Sequence, residues 1–231
     1  MPSPTVAILV AAGAGVRMGA GVPKALMPLA GRPMLAWSVA ALERSGRIDA
    51  LVVVAPPGRE DEVGAAVSTA VPLTVVPGGD SRADSVRLGL AAAPAAAGTV
   101  LVHDAARPLL SPELVGAVLD AADGADGAIA AAPVVDTLKR AGEGGVIDAT
   151  LPRQGLWGAQ TPQAFAANVL RGAVDRAAAE GALGAATDCA SMVEAAGGRV
   201  RLVESGGPNL KVTTPADRAL AEAVLAARAR E

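Results

Sequence analysis

Residues 6–24 read Val-Ala-Ile-Leu-Val-Ala-Ala-Gly-Ala-Gly-Val-Arg-Met-Gly-Ala-Gly-Val-Pro-Lys. Val6–Val10 is a continuous apolar run of the kind that forms a strand buried on both faces. A loop with four glycines follows at once, and Arg17 and Lys24 sit inside it. Glycine lets backbone N–H groups approach phosphate oxygens with no Cβ in the way. Only three of the 20 lysines and arginines are lysine: Lys24, Lys139 and Lys211. A lysine inside the glycine loop of an arginine-using chain suggests that a compact point charge is wanted there. Strand, loop and cations point to nucleoside triphosphate chemistry; the plainer alternative is an ordinary strand-to-helix turn in a chain rich in Gly and Ala.

Two better-known glycine loops do not fit. The dinucleotide fingerprint needs G-x-G-x-x-G and then a helix. Gly13 and Gly15 match, but position 18 is Met, and Pro23 and Pro28 oppose a helix running straight out of the loop. No acidic residue closes the second apolar run, which ends Ala55-Pro56-Pro57. The triphosphate P-loop fails as well, because Lys24 follows Pro23 and precedes Ala25. The segment is a phosphate loop of a third kind.

Apolar runs recur at Val6–Val10, Ala50–Ala55, Leu73–Val76, Thr99–Val102, Ala128–Ala132 and Val200–Val203, with amphipathic helical stretches between several of them. That alternation predicts an α/β fold: a Rossmann-like, mostly parallel sheet with helices on both faces. Helix starts are legible. Ser111-Pro112-Glu113 is an N-cap followed by proline at the first helical position. Thr214-Pro215-Ala216-Asp217 starts similarly, with an acid at the third position, and Thr187-Asp188 opens the stretch carrying Cys189. From Asp136 to Trp157 two short β-like runs flank Gly142-Glu143-Gly144-Gly145, a projecting β-hairpin arm. A lone hairpin is marginally stable, so the arm needs something to pack on, either a second subunit or its own domain. The 231 residues are expected to form one domain with this excursion.

Composition removes several classes of function. Trp37, Trp157 and Phe165 are the only aromatics, too few for a base-stacking nucleic-acid surface. A net charge of −3 and a pI near 5.3 disfavour a polyanion-binding face. The single cysteine, Cys189, excludes an internal disulfide, favours a cytoplasmic location and reads as a small core residue. Met1–Pro4 lacks the start of a secretory signal, and no apolar run is long enough to span a membrane. With one histidine and one cysteine, neither a nucleophile–base pair nor a His/Cys metal cluster is available.

Ligands of open α/β sheets bind beyond the carboxyl ends of the strands. The glycine loop with Arg17 and Lys24 stands there, as do Pro77-Gly78-Gly79-Asp80-Ser81-Arg82-Ala83-Asp84-Ser85 and His103-Asp104-Ala105-Ala106-Arg107-Pro108. Gly206-Gly207-Pro208-Asn209-Leu210-Lys211 lies near the last strand. Asp104 at a strand end is a hard oxygen donor for magnesium or a substrate hydroxyl, or a turn residue. His103 is expected to be structural, since strand alternation points it away from Asp104. Arg107 can grip a phosphate or carboxylate bidentately, or pair with a core carboxylate. Ala11, Ala12, Gly79 and Ser85 suit a base read by backbone groups and small side chains. Cations, backbone donors and a carboxylate suit phosphoryl or nucleotidyl transfer, where catalysis is mainly positioning and charge stabilisation.

The chain resembles the 2-C-methyl-D-erythritol 4-phosphate cytidylyltransferase family of the non-mevalonate isoprenoid pathway. The likeness is carried by residues 11–24, by Gly-Gly-Asp-Ser-Arg-Ala-Asp-Ser-Val (78–86) and by Val-His-Asp-Ala-Ala-Arg-Pro (102–108). Asp-Thr-Leu-Lys (136–139), Gln-Thr-Pro-Gln-Ala-Phe (160–165) and Asn-Leu-Lys-Val-Thr-Thr-Pro-Ala-Asp (209–217) extend it over nearly the whole chain. The glycine loop is common to many sugar nucleotidyltransferases; the 102–108 stretch is far more specific.

The resemblance implies a nucleotidyltransferase-type domain over 1–231 that joins CTP to the polyol phosphate with Mg2+ and releases pyrophosphate. It implies that Arg17 and Lys24 stabilise charge at the reacting phosphorus. Ala11, Ala12, Gly13, Gly79, Asp80 and Ser85 would hold cytidine. Asp104 and Arg107 would contact the substrate or metal region, and Lys211 would position the polyol phosphate. The 136–157 arm would make a homodimer, with Thr137 and Arg153 reaching the neighbouring site and Thr161 nearby. Some relatives carry an acid where this chain has Pro208, and the chain has no room for the synthase domain fused to others. Two rival readings are a cytidylyltransferase for another polyol phosphate, such as ribitol 5-phosphate, and a nucleotide-binding module without catalysis.

Overall fold

The computed structural model describes residues 3–13 and 22–230. The main-sheet strands, in chain order, begin with β1 (Thr5–Val10). A two-strand corner, β2 (Pro28–Leu29) and β3 (Arg32–Pro33), leads into α1 (Met34–Arg44). Then come β4 (Ala50–Ala55), α2 (Glu60–Ala65), β5 (Leu73–Pro77), α3 (Arg82–Ala92), β6 (Thr99–Asp104), α4 (Pro112–Ala122) and β7 (Gly127–Pro133). The arm is β8 (Leu138–Ala141) with β9 (Ile147–Leu151). The chain returns through β10 (Trp157–Ala166), α5 (Ala167–Ala179), α6 (Cys189–Ala195), β11 (Val200–Glu204) and α7 (Pro215–Arg228).

The seven-stranded sheet has the order β11-β7-β10-β6-β1-β4-β5. All neighbouring pairs are parallel except those of β10, which runs antiparallel to both β6 and β7. All six predicted apolar runs are strands of this sheet. The inner four, β1, β4, β6 and β7, carry the two-sided apolar sequence that burial on both faces demands, while β5 and β11 stand at the sheet edges and are part-exposed. Alternation along β1 sends Ala7 and Leu9 into a core under α1 and α4, and Val6 and Ile8 into a second core under α3, α5 and α6. A third cluster, with Leu29, Met34, Leu109, Val212 and Leu225, seats α7 on the β2–β3 corner. Each fully buried leucine or phenylalanine here contributes about 1.5–3 kcal/mol.

The predicted helix starts hold. Ser111 and Thr214 accept N–H bonds from Leu114 and Asp217, and Asp188 caps α6 through Ser191. Thr214–Asp217 and Asp188–Ser191 are reciprocal capping boxes. Gly89 on α3 lets the helix lie on the sheet, since a Cβ there would stand 2.7 Å from Ile8 Cγ2.

Two expectations need correction. No apolar run marks a strand between the arm and α5, yet β10 lies near the middle of the sheet. Its residues, Trp-Gly-Ala-Gln-Thr-Pro-Gln-Ala-Phe-Ala, mix glycine, glutamine and proline into the run and mask its strand character. Its pairing with β7 shifts register between Ala159 and Gln163, and such an irregularity is where a central strand tolerates proline. The arm is also shorter than 136–157. Its paired residues lie within 138–151, and Trp157 belongs to β10.

Candidate active site

A cleft of about 560 Å³ opens beyond the carboxyl ends of β1, β5 and β6. Of the residues singled out from the sequence, Ala11, Ala12, Gly13, Lys24, Gly79, Asp80, Ser85, Asp104 and Lys211 line it. Lys24 opens a short 3-10 turn, Lys24–Leu26. Gly78 is buried where the strand ends meet: its N–H donates to the Ala55 carbonyl at 2.7 Å. A Cβ at Gly78 would fall 2.4 Å from Ala12 Cβ and 3.0 Å from Ser85 Oγ, so only glycine lets these walls close. The Ser85 hydroxyl, on α3, accepts from the Gly79 N–H at 3.2 Å and fixes the Gly-Gly turn. Arg17 lies outside the described residues.

The charged centre of the cleft is Asp104. One carboxylate oxygen accepts from Arg82 Nε at 2.9 Å, the other from Lys211 Nζ at 2.7 Å. Burial alone would raise its pKa; the charges of Arg82 and Lys211 outweigh burial and hold it well below the usual carboxylate range. Arg82 has no role in the sequence reading, yet it lines the cleft and completes this triad. Its Nη2 is buried without a partner among the described residues, and Nη1 lies 3.7 Å from Cys189 Sγ. Burial opposes the guanidinium charge, and the Asp104 carboxylate reverses that, so Arg82 stays charged. Burial pushes the Cys189 thiol up to about 11, leaving it a protonated core side chain at neutral pH, as the sequence suggested.

Three neighbouring residues stand behind the wall rather than on it. His103 is fully buried, and burial pushes its pKa down to about 4, so the ring is neutral near pH 7. Its structural assignment holds. Arg107 is half-buried, with Nη1 donating to the Asn209 carbonyl at 2.7 Å. Its partner is thus a backbone carbonyl of the Lys211 segment. Thr161, expected near the substrate, is 3% exposed and sits beneath Asp104 on β10; its hydroxyl is taken up by the Asp104 N–H and His103. The arm residues Thr137 and Arg153 are exposed and outside the residues that line this chain's cleft, with Arg153 donating to the Val135 carbonyl.

No group of three acidic, histidine or cysteine side chains suited to a metal occurs among the described residues. The cleft supplies Asp104 and the exposed Asp80. Magnesium commonly binds through one or two carboxylates plus substrate phosphates, keeping several waters. The donor set fits that class of site and does not form a closed protein cage.

A mostly parallel sheet with a glycine-rich, cation-bearing cleft at its carboxyl edge defines an α/β protein of nucleotidyltransferase type. The model of the family described as 2-C-methyl-D-erythritol 4-phosphate cytidylyltransferase (IspD) matches residues 5–227, and the chain belongs to that family. A protein of that name from Saccharopolyspora erythraea is 47% identical over 229 residues, 96% of this chain and 99% of the relative. The solved structure of the Thermus thermophilus cytidylyltransferase superposes with a TM-score of 0.79 at 35% identity, over 97% of this chain and 98% of that one. The 4-diphosphocytidyl-2C-methyl-D-erythritol synthase of Anaerococcus prevotii gives a TM-score of 0.84 at 27% identity, over 97% and 99%. No helix among the described residues is long and apolar enough to cross a membrane.

Proposed function

We propose that the chain transfers the cytidylyl group of CTP to 2-C-methyl-D-erythritol 4-phosphate, giving 4-diphosphocytidyl-2-C-methyl-D-erythritol and pyrophosphate. The observation that carries this reading is the Arg82–Asp104–Lys211 triad in a glycine-lined cleft that Lys24 also lines. An oxygen of the substrate phosphate attacks the α-phosphorus of CTP in line. One P–O bond forms, the bond to the bridging oxygen breaks, and pyrophosphate leaves with the electron pair. Little covalent chemistry falls to the protein, so its contribution is orientation and charge.

Ala11, Ala12, Gly13, Gly79, Asp80 and Ser85 hold the nucleoside end through backbone groups and small side chains. Lys24, with Arg17 of the same loop, stabilises charge gathering at the phosphorus. Lys211, held by Asp104, presents its ammonium to the incoming phosphate. Mg2+, held by Asp104 and triphosphate oxygens, would neutralise charge on the leaving phosphates. Arg107 braces the Asn209–Lys211 segment. Thr137 and Arg153 act on the cleft of a second subunit in a homodimer formed through the arm. Exposed Val135, Val146, Ile147 and Trp157 on and beside the arm support that docking. A cytoplasmic enzyme fits the single buried thiol.

The test is pyrophosphate release with CTP and Mg2+, comparing methylerythritol phosphate with ribitol 5-phosphate. Release with the first substrate alone is expected. Release with ribitol 5-phosphate alone would keep the chemistry and replace the substrate; CTP binding with no release from either would refute catalysis.

A further inference from the structure

We propose that His103 and Thr161 are positioning residues: a directed hydrogen-bond relay through them sets the turn that carries Asp104 and Arg107. The proposal rests on the reading of the cleft given above.

The relay has three links. The Asp104 N–H donates to Thr161 Oγ at 3.1 Å. Thr161 Oγ lies 3.0 Å from His103 Nδ1. His103 Nε2 lies 3.1 Å from the Arg107 carbonyl oxygen. A carbonyl only accepts, so Nε2 carries the proton. The neutral ring then has a lone pair on Nδ1, and the Thr161 hydroxyl donates to it. The threonine oxygen keeps its own lone pairs for the Asp104 N–H. Each donor meets an acceptor in one order only.

The relay closes on a turn. The Arg107 N–H donates to the Asp104 carbonyl at 2.9 Å, across the inside of residues 104–107. The outward-facing groups of the same two residues, the Asp104 N–H and the Arg107 carbonyl, are the ends of the relay. The intervening residues are pinned as well, since Ala105 N–H donates to Val10 at 3.0 Å and Val212 N–H to Ala106 at 2.8 Å. His103, Thr161 and Asp104 are all buried, so water does not replace a missing link. Thr161 also reaches the lysine segment: its carbonyl accepts from Asn209 Nδ2 at 2.8 Å, two residues before Lys211. One buried threonine on the antiparallel strand thereby sets the backbone under Asp104, Arg107 and Lys211.

With both ring nitrogens engaged inside the protein, His103 has no free position from which to exchange a proton with substrate. Its part is geometric, and the Thr161 hydroxyl, committed to the Asp104 N–H and to His103, acts through the 104–107 turn.

The chain has one histidine, so a long-range 15N–1H correlation spectrum of the intact protein reads this ring alone. The relay requires the Nε2–H tautomer at pH 7; an Nδ1–H tautomer or a doubly protonated ring overturns it. The kinetic arm compares Thr161→Val, which keeps shape and removes the hydroxyl, with Thr161→Ser, which keeps it. Thr161→Val unmakes both hydrogen bonds of the hydroxyl and is expected to lower kcat/KM for the polyol phosphate at least about tenfold. Its Kd for CTP should stay within about threefold, and Thr161→Ser should recover most of the loss. Equal kinetics in the two variants overturn the proposal. A wild-type protein that releases no pyrophosphate with methylerythritol phosphate removes the functional reading instead, and the tautomer, read in that same protein, still decides the relay.

Discussion

Arg82→Met removes one of the two cations on Asp104 while keeping much of the side-chain volume. The lost contact is 2.9 Å long, between side chains 22% and 9% exposed. The surviving partner, Lys211, is 42% exposed, so solvent screens much of its attraction. Breaking a buried ion pair from one side costs about 3–5 kcal/mol, because the remaining charge stays buried. With Lys211 still present the lower end applies, about 3 kcal/mol, or a fall in Tm of roughly 6–12 °C for a chain this size. The double variant Arg82→Met/Asp104→Asn leaves no buried carboxylate and should recover about 2 kcal/mol of the summed single losses. Urea unfolding of the four proteins at pH 7 measures this. Single losses that add to the double within about 0.5 kcal/mol would refute the coupling. The pH dependence follows from the depressed pKa of Asp104. A carboxylate whose folded pKa lies below its unfolded value stabilises fully above about pH 4 and loses that contribution as pH falls through the folded value. Arg82→Met raises the folded value, so its stability declines at a higher pH than that of the wild type.

Three further outcomes follow from the geometry. Lys24→Ala should fold normally by circular dichroism and lose about 10²–10³ in kcat, the usual effect of deleting a preorganised charge donor; near-normal turnover contradicts its role. Arg153→Ala and Lys24→Ala proteins, each impaired alone, should regain activity on mixing if the arm completes the partner's cleft, and an inactive mixture rules out the shared site. Cys189, fully buried with its thiol pushed up to about 11, should resist a thiol reagent in the native protein and react fully on unfolding; rapid native labelling would refute the buried assignment.

The parallel part of the sheet is legible because burial on both faces leaves little choice of residue. Ile8, Leu9, Val52, Val53, Leu101 and Val102 are apolar whichever way they point. β10 lies as deep but is partly built of other residues. Gln163 is 1% exposed and bonded to Asp188 and to the Cys189 N–H, and Thr161 is committed to His103 and Asp104. Buried polar side chains are stable when every group is partnered, and those partners come from distant segments. No local pattern of apolar residues marks such a strand. The same cause hides the role of Thr161: within Gln160-Thr161-Pro162 nothing says that the hydroxyl faces inward.

The cleft was legible to the extent that strand ends define it, which is why Ala11–Gly13, Gly79, Asp80, Asp104 and Lys211 meet where the sequence puts them. Arg82 belongs to a helix rather than a strand end, and it left a different trace. Ser81 caps α3, and that makes Arg82 its first helical residue. A cation there faces the positive end of the helix dipole, an unfavourable local choice. Such a position is held only where a stronger distant interaction outweighs the local preference. Here that interaction is the Asp104 carboxylate at 2.9 Å. A breach of a local rule beside a glycine turn is therefore itself a signal of a site. In Gly78-Gly79-Asp80-Ser81-Arg82, the serine cap followed at once by arginine was that signal, and it marks the cation that orients Asp104.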